Sequence, residues 1–161
     1  MILSSQTINI IRPLYPFVAK KQIRNGMSYG LSSAGYDVRH SGTVTISPGE
    51  FTLGGTLEYF YMPDNICGFV KDKSSWARRG LSTFNTFIDP GFKGFLTLEF
   101  KNLGEEYITI EDEDPICQII FAYLDEMTEQ PYVSKYQYQQ QGPQEWIKEL
   151  PVPPTMLQLS A

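Results

Sequence analysis

Between Tyr36 and Leu124 the apolar residues come in short runs, many of them β-branched or aromatic, broken every few positions by Gly, Pro, Asn or Asp. That rhythm predicts many brief strands, because branched and aromatic side chains fit a pleated, half-buried surface while the interrupting residues fit turns. The runs at 43–46, 51–56, 66–70, 95–101, 107–110 and 116–124 are the strands it marks. Their regular spacing favours a barrel or a sandwich. Ahead of them, Ile2, Leu3, Ile8, Ile10 and Ile11, with Ser4 or Ser5 as an N-cap, predict a short helix ending before Pro13. Behind them the chain turns polar, with Gln137, Gln139, Gln140 and Gln141 ahead of Gly142 and with Pro151, Pro153 and Pro154 near the end. An irregular tail is expected. Tyr132, Tyr136, Tyr138 and Trp146 give it enough aromatic surface to pack on its own barrel or on a neighbouring subunit.

A chain of 161 residues suits one domain, with the helix and barrel in about 1–126 and the tail in about 127–161. A hydrophobic fraction of 42% against 19% charged residues excludes a disordered or fibrous protein. The net charge of -5 argues against tracking a nucleic-acid backbone, which needs a cationic stripe to release counterions. Charge is nevertheless uneven. Lys71, Lys73, Arg78 and Arg79 crowd one stretch, and Glu105, Glu106, Glu111, Asp112, Glu113 and Asp114 another, so a small anion could be captured locally. No apolar stretch reaches the length of a membrane span and the start lacks the pattern of a secretory signal, so a cytoplasmic location is expected. Cys67 and Cys117 each sit in an apolar run and read as reduced, buried thiols.

Two segments could carry chemistry. In 73–81, a serine N-cap followed by Trp76, Ala77 and Arg78, with Gly80 to end the turn, predicts one turn of helix. Its N-terminus and the ammonium of Lys73 could hold a phosphate chain, or the segment could be a capped surface turn with solvated arginines. In 88–100, Pro90, Gly91 and Gly94 mark a turn that leaves Asp89 at a strand end and Glu99 inside the next strand. Alternation then puts Leu96, Leu98 and Phe100 on the core face and Phe95, Thr97 and Glu99 on the other. A carboxylate so placed is either solvated or enclosed by another subunit, and only enclosure would lift its pKa toward the value a general base needs.

Over nearly its whole length the sequence resembles the deoxycytidine triphosphate (dCTP) deaminases, relatives of the dUTPases. The resemblance rests on six blocks in order: 1–4 with Ile8; 34–39; 48–51 with 62–64; 74–78; 88–91 with Gly94 and 98–100; and Lys135 and Tyr136 with Gln139 and Gly142. It implies a mainly β fold, a distorted β-barrel or jelly roll (β-clip, dUTPase-like) with short helices, assembled as a homotrimer with active sites between subunits. Enclosure by the neighbour would then account for Glu99. By the same resemblance Glu99 would be the general base, and Ser74 and Arg78 would position the water and polarise the cytosine. Asp89 would contact the deoxyribose, while Lys73, Tyr132, Lys135 and Gln139 would hold the triphosphate beneath a closing tail. Lys73 stands where an arginine is common, which keeps the charge but loses bidentate geometry. Magnesium would arrive bound to the phosphates.

Zinc deaminases use His and Cys ligands, including a Cys-x-x-Cys pair. Here there is one histidine, His40, read as a surface residue, and the two cysteines lack that pairing, so the resemblance implies zinc-independent deamination. A dUTPase would share Asp37, Ser74 and Asp89 but normally carries an apolar residue at Glu99. An enzyme that both deaminates dCTP and hydrolyses dUTP would need both acids, and a nucleotide-binding trimer without catalysis would have no need of the water-activating carboxylate. The chain departs from the deaminase pattern at Phe84, Asn85, Thr86 and Phe87, where Asn85 in the base pocket could alter which pyrimidine is accepted.

Overall fold

The computed structural model describes residues 1–84 and 86–148. In chain order the elements begin with α1 (Ser5–Ile11), β1 (Leu14–Tyr15), β2 (Gln22–Arg24), β3 (Met27–Ser32), β4 (Gly35–Arg39) and β5 (Val44–Ile46). They continue with β6 (Phe51–Tyr61), β7 (Ile66–Asp72), α2 (Ser74–Ala77), β8 (Leu81–Thr83), β9 (Phe87–Ile88), β10 (Lys93–Asn102), β11 (Ile108–Ile110) and β12 (Pro115–Tyr123). The strands form three sheets, in the orders β1-β6-β10-β8, β11-β5 and β2-β3-β4-β12-β7-β9. All the strand pairs are antiparallel. Between the sheets lies a core that includes Tyr36, Phe60, Leu98, Phe100, Ile119 and Phe121.

Each of the six marked runs contains a strand, and α1 ends where expected, with Arg12 in the left-handed conformation at φ 48 just before Pro13. Strands β1 to β4, β8 and β9 were not marked by the apolar rhythm. β4 shows why: all five of its residues are buried, yet Asp37 and Arg39 break its hydrophobic run. Distant partners satisfy both charges. Asp37 Oδ2 lies 3.2 Å from Lys73 Nζ, and Glu58 binds Arg39 through the backbone N–H and Nε, both at 2.9 Å. A buried charge is tolerable only when paired and hydrogen-bonded in this way.

The strongest sheet contact is the β6–β10 ladder, and it is interrupted. Phe95 pairs with Tyr59 but Thr97 pairs with Gly55, so β6 carries extra residues opposite Leu96. Thr56 fills the gap by accepting the Leu96 N–H at 3.0 Å and donating to Glu58 O at 2.8 Å. The bulge corrects the strict alternation expected for β10. Leu98 and Phe100 are fully buried as expected, but Leu96 is only half-buried and turns into a cleft.

His40 is a second correction. It is not a surface residue but is 2% exposed, with Nδ1 2.8 Å from Gly42 O and its ring 5.8 Å from that of Phe100. Burial holds its pKa below the ordinary value, so the ring is neutral inside the fold. The room for it comes from Gly54, where a Cβ would stand 2.4 Å from His40 Nε2 and 2.5 Å from Phe100 Cε2. Gly54→Ala is therefore expected to cost about 1–3 kcal/mol or more through overpacking. Urea denaturation of the variant checks this, and an unchanged midpoint would mean that the His40 packing is not constraining.

Candidate active site

A cleft of roughly 950 Å³ opens on the face of the β6–β10 sheet turned away from the core. Two buried neighbours, Leu98 and Phe100, fix the rotation of β10 and so direct Glu99 outward into this cleft. Across the ladder Glu99 faces Leu53, and its carbonyl accepts the N–H of Phe84 at 2.9 Å. The rings of Phe51 and Phe84 stack nearby, 5.9 Å apart. Apolar walls therefore flank an acid. Its Oε2 is buried without a hydrogen-bond partner, and desolvation raises its pKa above the ordinary glutamate value.

Asp89 joins the same cleft from the end of β9, and burial raises its pKa as well. The Pro90–Gly91 turn that presents it is held by the tail. Tyr132 N–H donates to Pro90 O at 2.9 Å, Gln137 Nε2 donates to Gly91 O at 2.9 Å, and Tyr132 packs edge-on against buried Phe92. Farther on, Gln139 bridges Gly94 in parallel and its carbonyl accepts the Phe95 N–H at 3.1 Å. Through residue 148 the expected irregular tail thus packs on its own barrel, and it brings Tyr132, Lys135 and Gln139 to the cleft. The prolines at 151, 153 and 154 lie outside the described residues.

The structure does not bring every expected site residue together. Glu99, Asp89, Tyr132, Lys135 and Gln139 line the cleft, whereas Lys73, Ser74 and Arg78 do not. Ser74 and Arg78 are exposed at the short helix α2. Lys73, not a serine, occupies the N-cap position there, and its carbonyl accepts the N–H groups of Trp76 and Ala77. Its side chain is 8% exposed and committed to Asp37 and Ser28, so it is not the free phosphate-binding cation expected from the sequence. Asn85 lies outside the described residues. Both cysteines are buried free thiols, as expected. Among the described residues no group of three or more His, Cys, Asp or Glu side chains is arranged to hold a metal ion, and no helix is long and apolar enough to cross a membrane.

Sequence reasoning missed Trp146 and Glu145 at the cleft and gave Thr97 no role beyond sharing a face with Glu99. The alternation of β10 was a usable signal for Thr97. No sequence signal located Trp146, because its position depends on where the tail crosses the sheet.

Comparison with known proteins fits this arrangement. Residues 21–124 match a family described as dCTP deaminase-like. The chain is 46% identical over 105 residues to a protein of Mycobacterium bovis named dCTP deaminase, dUMP-forming, covering 61% of this chain and 55% of that protein. A protein of the same name from a Sulfurihydrogenibium species is 42% identical over 95 residues, covering 58% and 53%. The chain thus spans little more than half the length of these two relatives. The dCTP deaminase of Campylobacter curvus is 33% identical over 151 residues, covering 76% of this chain and 81% of that protein. Among solved structures, the native dUTPase of EIAV superposes with a TM-score of 0.54 at 25% identity, covering 70% of this chain and 89% of that one. A dUTPase from phage phi11 of S. aureus has a TM-score of 0.55 at 18% identity, covering 76% and 95%, and supports the mainly β, dUTPase-like fold alone.

A raised folded-state pKa means that Glu99 favours folding in its neutral form, and that this contribution is lost as pH rises through the shifted value. Glu99→Gln is therefore expected to raise Tm by a few degrees at pH 8 and to give no gain below the ordinary glutamate range. Calorimetry across pH tests this, and a variant less stable than the parent at pH 8 would mean that the carboxylate is not desolvated.

Proposed function

The chain belongs to the dCTP deaminase-like family, and we propose that it hydrolyses dCTP to dUTP and ammonia without zinc, using Glu99 as the base. One observation carries the proposal: a partly buried carboxylate with an unpartnered oxygen faces a cleft wide enough for a nucleotide, beside a second acid, Asp89, and the ammonium of Lys135. A desolvated glutamate is a stronger base for water than a solvated one, which is what attack on the C4 carbon of cytosine requires. In the proposed reaction Glu99 takes a proton from water as the water oxygen bonds to C4 and the C4=N3 π electrons move to N3, which Glu99 then protonates. The proton of the new C4 hydroxyl passes through Glu99 to the amino group, C4=O forms, and the C4–N bond to the amino group breaks to release ammonia.

Other residues position the substrate. Asp89 holds the deoxyribose, and Tyr132, Lys135 and Gln139 bind the triphosphate. Magnesium accompanies the phosphates as part of the substrate, held mainly by phosphate oxygens and water. Ser74 and Arg78, exposed outside the cleft, would complete it from a neighbouring subunit of a homotrimer. Lys73 would support that face through its pair with Asp37.

A second reading has specific support. Asp89 and Glu99 share one cleft, and two of the relatives named above are dUMP-forming, so the dUTP could be hydrolysed onward to dUMP and pyrophosphate. A cytoplasmic role in pyrimidine deoxynucleotide supply accords with either product.

Purified protein supplied with dCTP or dUTP and magnesium, assayed for ammonia, pyrophosphate and nucleotide products, separates the readings. Ammonia with dUTP supports simple deamination, ammonia with pyrophosphate supports the dUMP-forming reaction, and pyrophosphate from dUTP alone indicates a dUTPase. Glu99→Gln is expected to reduce ammonia release by about a hundred- to ten-thousand-fold while nucleotide binding persists. In the parent, kcat/KM should rise with pH along a limb centred above the ordinary glutamate range, because the base must be ionised. Full activity in Glu99→Gln would exclude the mechanism.

A further inference from the structure

Thr97 stands on β10 two residues before Glu99, and both line the cleft. Its Oγ1 accepts one hydrogen bond from Nε2 of Gln139 and another from the backbone N–H of Gln144, the latter at 2.8 Å. A threonine hydroxyl has two acceptor positions and one proton. The tail therefore fills both acceptor positions, and only the proton remains to be given.

The neighbouring geometry is built for this crossing. Thr97 pairs across the ladder with Gly55, and a Cβ at Gly55 would stand 3.1 Å from the backbone carbon of Gly142. The tail thus lies directly over the Thr97–Gly55 pair, in space that any larger residue at 55 would contest. On the same face, Glu99 Oε2 lacks a donor. Same-face neighbours on a strand have Cα atoms about 6.5–7 Å apart, and a modest lean of either side chain brings two oxygens within the roughly 5.6 Å that one water can bridge with two hydrogen bonds of about 2.8 Å.

We propose that Thr97 is a positioning residue that latches the tail over the cleft and, once latched, directs its O–H toward the water shared with Glu99. With the tail undocked, the hydroxyl can turn its proton elsewhere and accept from water. With the tail docked, its acceptor positions are occupied, so the hydroxyl must act as a donor. Tail closure and orientation of the nucleophile become one event. The kinetic part of this proposal rests on the deaminase reading, whereas the latch itself does not.

The test compares Thr97→Val, which keeps shape and β-branching but has no hydroxyl, with Thr97→Ser, which restores it. Hydrogen exchange of the nucleotide-free full chain, read by mass spectrometry over residues 137–148, is expected to accelerate roughly tenfold in Thr97→Val and to stay near the parent rate in Thr97→Ser. Gln144→Pro removes the donor from the tail side without touching β10 and should reproduce the acceleration. With MgdCTP, Thr97→Val is expected to lower kcat and raise KM, each about five- to tenfold, with Thr97→Ser recovering both. Unchanged exchange in Thr97→Val overturns the latch whether or not the protein deaminates. Accelerated exchange with unaltered kcat overturns the coupling to Glu99. Absence of ammonia release from the parent itself counts against the deaminase reading, and the exchange comparison still decides the latch.

Discussion

The antiparallel ladder between β6 and β10 is the constraint on which the remainder of the molecule depends. On one side of it Leu98 and Phe100 are sunk in the core, so β10 cannot rotate without exposing them. That fixed rotation is what sends Glu99 the other way. Two adjacent glycines let other parts approach the ladder closely, since Gly54 admits His40 from the core side and Gly55 admits the tail backbone from the cleft side. A side chain whose orientation matters is best set on a regular element whose packing tolerates little movement, and β10 gives Glu99 that support.

The cleft also divides its residues by mobility. Glu99 and Thr97 belong to a strand, and Asp89 to a tight turn beside it, whereas Tyr132, Lys135 and Gln139 arrive on an irregular segment held mainly by side-chain and single backbone bonds. Segments held in this way open at lower cost than strands do. The proposed chemistry would thereby fall on the rigid part and the proposed substrate capture on the adjustable part. Buried pairs act away from the cleft: Arg39–Glu58 ties β4 to β6 across the two sheets, and Lys73–Asp37 ties the start of α2 to β4.

Much of this was legible in the sequence where one local period governed the outcome. Leu98 and Phe100 announced a core face, Glu99 its reverse, and the tyrosines after residue 130 a tail with something to pack against. What escaped was decided by partners far along the chain. Asp37 and Arg39 disguise a fully buried strand, because the groups that neutralise them come from residues 73 and 58. His40 gives no local sign of burial, since the room for it is made by a missing side chain at Gly54. Leu96 breaks its alternation because the extra residues lie on the opposite strand. The blocks that resemble the deaminase family supplied the choice between a solvated and an enclosed Glu99, which alternation alone left open.

The two indoles occupy contrasting surroundings. Trp76 is 2% exposed and donates its N–H to Pro115 O at 2.6 Å, while Trp146 is 76% exposed at the mouth of the cleft. The molecule consequently carries an optical division of labour. An indole shielded from water emits further to the blue than one in contact with it, so Trp76 is suited to report on the interior and Trp146 on the rim of the cleft, without an added dye.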